Sequence, residues 1–266
     1  MSRYGVLSNL TIFDLAALRY GISGVIVLPI VLYYQPWKTI PIFKIFILSI
    51  LLGPVYMMFV FGGFVYAPAS HSGVFMNGSL PLMTMLISYI WLKEKTSLLQ
   101  LLGIVLILSG AVFIVIDGTN LNIAKSWLGD ILFVIAGIFF SGYMVVSKAW
   151  KIKITELFLS SSLVNCIIYM PIWYFLLPKT IFQVSNTELV IQALYQGIVP
   201  TLIGLILVMV AVRNIGSSST SAFLAGVPGL ATILSMIFLN EYLGIYGWLG
   251  LLLLTPGILI VAFNSK

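Results

Sequence analysis

Apolar runs long enough to cross a lipid bilayer occupy most of this chain. A hydrocarbon core of about 30 Å needs roughly 20 residues of helix. Such runs lie near residues 13–34, 43–65, 71–92, 97–116, 127–149, 156–177, 188–212, 218–239 and 244–263. The short connections between these nine spans carry turn and polar residues, as in Gln35-Pro36-Trp37-Lys38, Lys93-Glu94-Lys95 and Asn214-Ile215-Gly216-Ser217. Inside lipid every backbone N–H and C=O must be bonded within the protein, so runs of this kind are helices. With 8% charged against 61% hydrophobic residues and a mean hydropathy of +1.15, the chain has no material for a water-facing shell. The expected fold is an all-α integral membrane protein with nine transmembrane helices. No linker is long enough for a soluble domain.

The spans are not independent. Residues 70–110 recur without a gap at 217–257, with 11 identities in 41 positions. Pro81, Glu94, Gly103 and Gly110 fall in one register on Pro228, Glu241, Gly250 and Gly257. Further upstream, Ile12-Phe13-Asp14-Leu15 resembles Ile154-Thr155-Glu156-Leu157 at an offset of 142, and Pro29 falls on Pro171 at the same offset. Internal repetition in an apolar chain is a transporter signature. The second copy, 126–266, holds five helices; the first, 1–118, holds four, and the helix that would open it is missing. The plan is therefore two inverted five-helix repeats, with nine helices present of an expected ten.

Five crossings put the second copy into the membrane from the opposite side, and the charges agree. One side collects Lys38, Lys44, Lys93, Lys95, Lys148, Lys151, Lys153, Arg213 and Lys266, whereas the other collects Arg3, Lys125 and Lys179. The positive-inside bias places the C-terminus in the cytoplasm of a plasma (bacterial inner) membrane. The formal charge of +6 forms no cluster or stripe, so nucleic acid is not an expected partner. The single cysteine, Cys166, can form no intramolecular disulfide. No HExxH, CxxC or Walker-type phosphate loop is present, and one histidine cannot complete several catalytic sets. The expectation is no enzyme activity, no metal and no cofactor.

Several stretches together resemble the EamA branch of the drug/metabolite transporter superfamily. They are Phe13-Asp14-Leu15-Ala16-Ala17-Leu18-Arg19-Tyr20, Pro81 with Glu94 and Gly103 to Gly110, Gly129-Asp130, Leu194-Tyr195-Gln196-Gly197, Ala211-Val212-Arg213-Asn214-Ile215-Gly216, and Pro228 with Glu241, Gly250 and Gly257. The resemblance covers almost the whole chain. It implies two inverted five-helix repeats, cytoplasmic termini and a substrate cavity lined by helices of both halves. The chain departs from the pattern by lacking the first helix.

Candidate site residues follow from polarity and from that resemblance. Pro81 and Pro228 are mid-span helix breaks, which a bilayer tolerates only where protein or a watery cavity re-satisfies the backbone. The segment before Pro81 is polar for a membrane helix and contains Asn77 and Ser79; small residues also serve plain helix packing. The resemblance adds Tyr56, Phe75, Tyr143, Tyr195, Gln196 and Phe223 as walls for flat or amphipathic metabolites. His71 is a coupling candidate, because imidazole relays protons near neutral pH. Asp130 is another, with a rival role as an anion at a helix start. Arg19 is a third, one turn from Asp14 and so within reach of an ion pair, with outward snorkelling as the rival. The expected function is secondary transport of small organic metabolites by alternating access, foremost efflux of amino acids or related metabolites. Uptake exchange of a nucleotide-like or methyl-donor substrate is one alternative; a membrane-embedded enzyme or an inactive truncated transporter is another. Membrane lipids, a small-molecule substrate and protons as coupling ion are the expected partners.

Overall fold

The computed structural model describes residues 2–67, 71–118, 123–227, 229–230 and 244–264. In chain order they form α1 (Ser2–Leu7), α2 (Ile12–Tyr34), α3 (Ile42–Leu51), α4 (Pro54–Tyr66), a π-helical segment (Ser72–Gly78), α5 (Leu80–Leu92), α6 (Leu98–Gly118) and α7 (Ile123–Ala149). There follow α8 (Ile154–Leu157), a second π-helical segment (Phe158–Val164), α9 (Asn165–Leu176), α10 (Asn186–Ile198), a third π-helical segment (Val199–Gly204), α11 (Leu205–Ala225) and α12 (Ile245–Asn264). No strand occurs among the described residues. The fold is all-α, as expected of a multi-pass membrane protein.

Seven continuous helical segments among the described residues are long and apolar enough to span a bilayer, and Leu98–Ile114 is a shorter apolar helix. Two expected spans, 188–212 and 218–239, meet in one helical path, Asn186–Ala225. Gly216 interrupts that path at φ 85° and ψ 166°, a backbone conformation that only glycine adopts freely. The far end of 218–239, with Pro228 and Glu241, lies outside the described residues.

Where helices break, side chains repair the backbone. Between α3 and α4 the Tyr20 hydroxyl donates to the Leu52 carbonyl at 2.9 Å. In the second π-helical segment, Ser160 donates to the Glu156 carbonyl, Ser161 to the Leu157 carbonyl and Asn165 Nδ2 to the Ser161 carbonyl. Such repair is what an interior free of water requires.

The chain forms two compact units, and each takes segments from both sequence repeats: Met1–Val65 with Trp150–Val210, and Tyr66–Ala149 with Ala211–Lys266. In the first unit α2 packs antiparallel to its repeat counterpart, α8 through α9. Gly24 faces Cys166, its own repeat mate, so closely that a Cβ on Gly24 would lie 2.5 Å from the Cys166 Cβ. The ends of the pair are clamped reciprocally. Asp14 Oδ2 at the start of α2 accepts from the Thr180 N–H (2.9 Å) and hydroxyl (3.1 Å), beyond the end of α9. Glu156 Oε1 in α8 accepts from the Thr39 hydroxyl (3.1 Å), beyond the end of α2. Each carboxylate also caps its own helix, Asp14 through Thr11 N–H and Glu156 through Lys153 N–H.

The second unit repeats the logic with glycine. Along the antiparallel pair α6 and α12, a Cβ on Gly103 would lie 2.9 Å from the Gly257 carbonyl, and one on Gly257 would lie 2.8 Å from the Gly103 carbonyl. Gly110 and Gly250 oppose each other in the same way at 2.7 Å. Backbones approach this closely only over small residues. Since Gly103 and Gly250 are repeat mates, as are Gly110 and Gly257, the contact maps onto itself when the repeats are exchanged. Such a contact between equivalent, antiparallel helices is what an inverted repeat requires. Ile104, Ile107, Ala222, Ala225 and Val261 form a core beside it.

Candidate functional site

In the second unit the π-helical segment and α7 bring two of the nominated residues together. His71 Nδ1 lies 2.7 Å from Asp130 Oδ1, and both residues are buried, His71 at 1% exposure. The other carboxylate oxygen, Oδ2, accepts a long bond from the Ser126 hydroxyl at 3.3 Å. The Phe75 ring, one turn after His71, sits with its centroid 5.8 Å from the imidazole. The expectation that Asp130 opens its helix is corrected: α7 begins at Ile123, so Asp130 stands two turns inside it and is met by side chains instead of free N–H groups. His71 likewise is interior.

Toward Pro81 the same segment carries Asn77, half-buried, and Ser79, buried. The Ser79 hydroxyl donates to the carbonyls of Phe75 (2.7 Å) and Met76 (2.9 Å), so it is spent on the widened turn. Pro81 is the second residue of α5, directly after that turn. The wide turn is therefore how this backbone accommodates the proline. Gly137 of α7 lets the helices meet here, since a Cβ would lie 2.8 Å from Ser79 Oγ. Further along α7, Tyr143 is wholly buried with its ring stacked on Phe140 at 6.1 Å. Phe223 on α11 is 53% exposed, apart from this group, and Pro228 lies outside the described residues.

The remaining nominees belong to the first unit. Tyr56 is buried in α4. Gln196 is fully buried on α10, its Nε2 donating to Gln192 Oε1 at 3.4 Å. Gln196 Oε1 and Gln192 Nε2 have no partner among the described residues. This face of α10 packs against α2, where a Cβ on Gly197 would lie 2.6 Å from the Ile22 Cβ. Tyr195 is half-buried. Arg19 does not pair with Asp14, whose oxygens are taken by Thr11, Thr180 and the Trp173 indole N–H (2.9 Å). Gln192 and Ser126 were not singled out from sequence. The signal for Gln192 was its spacing of four from Gln196 in an apolar helix, which puts both amides on one face. Among the described residues no group of three or more His, Cys, Asp or Glu could hold a metal ion.

Comparison with known proteins places this architecture. A solved protein crystal structure superposes on 97% of this chain and 89% of its own with a TM-score of 0.70 and 17% identity, a likeness that shows the fold alone. An uncharacterized transporter from Methanothermobacter thermautotrophicus is 28% identical over 193 residues, 70% of this chain. The chain spans about half the length of that curated relative, the match covering 54% of it. The model of the EamA-like transporter family matches residues 1–116 and again 127–263. On two matches covering nearly its whole length, the chain belongs to the EamA-like transporter family.

Proposed function

We propose that the protein is a secondary active transporter of small organic metabolites, working by alternating access and coupled to protons through His71 and Asp130. Efflux of amino acids or related metabolites is the leading activity. The observation that carries the reading is the buried His71–Asp130 contact at 2.7 Å beside the π-helical turn that precedes Pro81. A titratable pair inside an apolar membrane protein is costly to keep there and is retained where it moves protons or contacts cargo. Half-buried Asn77 supplies an amide on the same turn, and Phe75 an aromatic wall beside the imidazole. The nine-to-three distribution of Lys and Arg supports a plasma-membrane orientation with a cytoplasmic C-terminus.

The test is purified protein in proteoliposomes loaded with a panel of amino acids and related metabolites, with and without an imposed pH gradient. Gradient-dependent movement of a panel member that His71→Ala abolishes is the expected result. Transport unaffected by the gradient removes proton coupling. No movement of any panel member, by protein that remains folded, removes the transport reading.

A further inference from the structure

A cavity of about 250 Å³ opens at the end of the second unit where α5 finishes and α6 begins. It is separate from the His71–Asp130 contact, sharing no lining residue with it. Its apolar wall is Met85, Ile104 and Val261. Its polar wall includes Ser88, Glu94, Lys95 and Gln100. The Gln100 amide is already used, accepting from the Ser97 N–H (2.9 Å) and donating to the Asn264 carbonyl (3.0 Å), so it frames the cavity and is not free to reorganise. Ser88 differs. The residue is 3% exposed, and its Oγ has no partner among the described residues. An unbonded buried hydroxyl lowers stability unless something else bonds it.

Two charged side chains line the cavity, one of each sign, Glu94 and Lys95. Glu94 Oε1 takes Lys148 Nζ at 3.0 Å, yet a carboxylate has about four acceptor sites and keeps capacity for a second ammonium. The volume lies below the range typical of drug-sized ligands. A small zwitterion with an apolar side chain complements all of these features at once. We infer that this cavity is a binding site for an α-amino acid with a small apolar side chain. Its ammonium is held by Glu94, its carboxylate by Lys95 and the Ser88 hydroxyl, and its side chain by Met85, Ile104 and Val261. A ligand with the amine alone leaves Lys95 unanswered, and one with the acid alone leaves Glu94 bonded to Lys148 only, its remaining acceptor sites unfilled.

The test is calorimetric titration of the purified full chain in detergent with L-leucine, and with isoamylamine and isocaproate, which carry its amine or its acid alone. Saturable binding of leucine is expected, with both single-charge analogues at least about tenfold weaker. Ser88→Ala removes an unbonded hydroxyl, so it is expected to weaken leucine about fivefold while the thermal midpoint holds or rises. Glu94→Gln is expected to bring isocaproate level with leucine. Isocaproate or isoamylamine binding as tightly as leucine to the unaltered chain overturns the zwitterion assignment. Leucine binding unchanged in both variants, or absent at millimolar concentration, overturns the site. These measurements need no gradient and no transport. Leucine binding without movement of any metabolite in proteoliposomes retains this site and removes the transport reading; transport without leucine binding removes this site alone.

Discussion

His71 Nδ1 and Asp130 Oδ1 meet at 2.7 Å across 59 residues of sequence, each in the interior of the same compact unit. Removing one partner leaves the other buried and uncompensated, a change that costs on the order of 3 kcal/mol for interior pairs. His71→Ala is therefore expected to lower the thermal midpoint in detergent. Asp130→Asn keeps a hydrogen bond to the ring and is expected to fold better while losing gradient-driven transport. Full transport by Asp130→Asn would show the pair to be architectural.

The glycine crossing of α6 and α12 predicts a coupled stability loss. Gly103→Ala sets a Cβ 2.9 Å from the Gly257 carbonyl, and Gly257→Ala sets one 2.8 Å from the Gly103 carbonyl. Each is expected to cost about 1–3 kcal/mol, the range for overpacking. Once one methyl has separated the helices the second meets less resistance, so the double variant loses less than the sum. Chemical denaturation in micelles measures the cycle. Strict additivity would mean that the two positions do not face each other.

Asp14 and Glu156 are repeat mates with unequal loads. Asp14 receives bonds from Thr11, Trp173 and Thr180, whereas Glu156 receives them from Lys153 and Thr39. Loss of a helix cap alone costs about 1 kcal/mol. Asp14→Ala further strands the Trp173 indole N–H and the Thr180 N–H, so it is expected to lower the thermal midpoint more than Glu156→Ala does. Equal losses would show that these added bonds contribute nothing.

The amide pair Gln192 and Gln196 makes one long bond and leaves one donor and one acceptor unused. Replacing both with Met removes every unsatisfied atom of the pair. Replacing one strands the other. The double variant is therefore expected to be more stable than either single variant, read as thermal midpoints. Transport retained in the double variant would exclude Gln196 as a substrate ligand.

How much of this was legible in advance differs by feature. Bilayer-length apolar runs locate helices whatever their neighbours, and α2, the helical path from α8 through α9 (Ile154–Leu176) and α12 fall within a residue or two of the expected bounds. Repeat mates such as Asp14 and Glu156, or Gly103 and Gly250, were legible as equivalents but not as contacts. The π-helical segments were not legible, because widening a turn changes backbone bonding without needing a distinctive residue.

The face that each helix buries was hidden for a physical reason. On α2 the buried Leu15, Val27 and Val31 are no more apolar than the exposed Val25, Leu28 and Leu32. A helix apolar all round carries no amphipathic stripe to show which side meets protein. The sequence by itself determined where the apolar spans lie and that the chain repeats internally. Tertiary structure alone decided that Gly103 opposes Gly257, that Thr180 closes on Asp14 and that His71 meets Asp130. Those contacts depend on shape and backbone approach between helices, which uniform hydrophobicity does not encode.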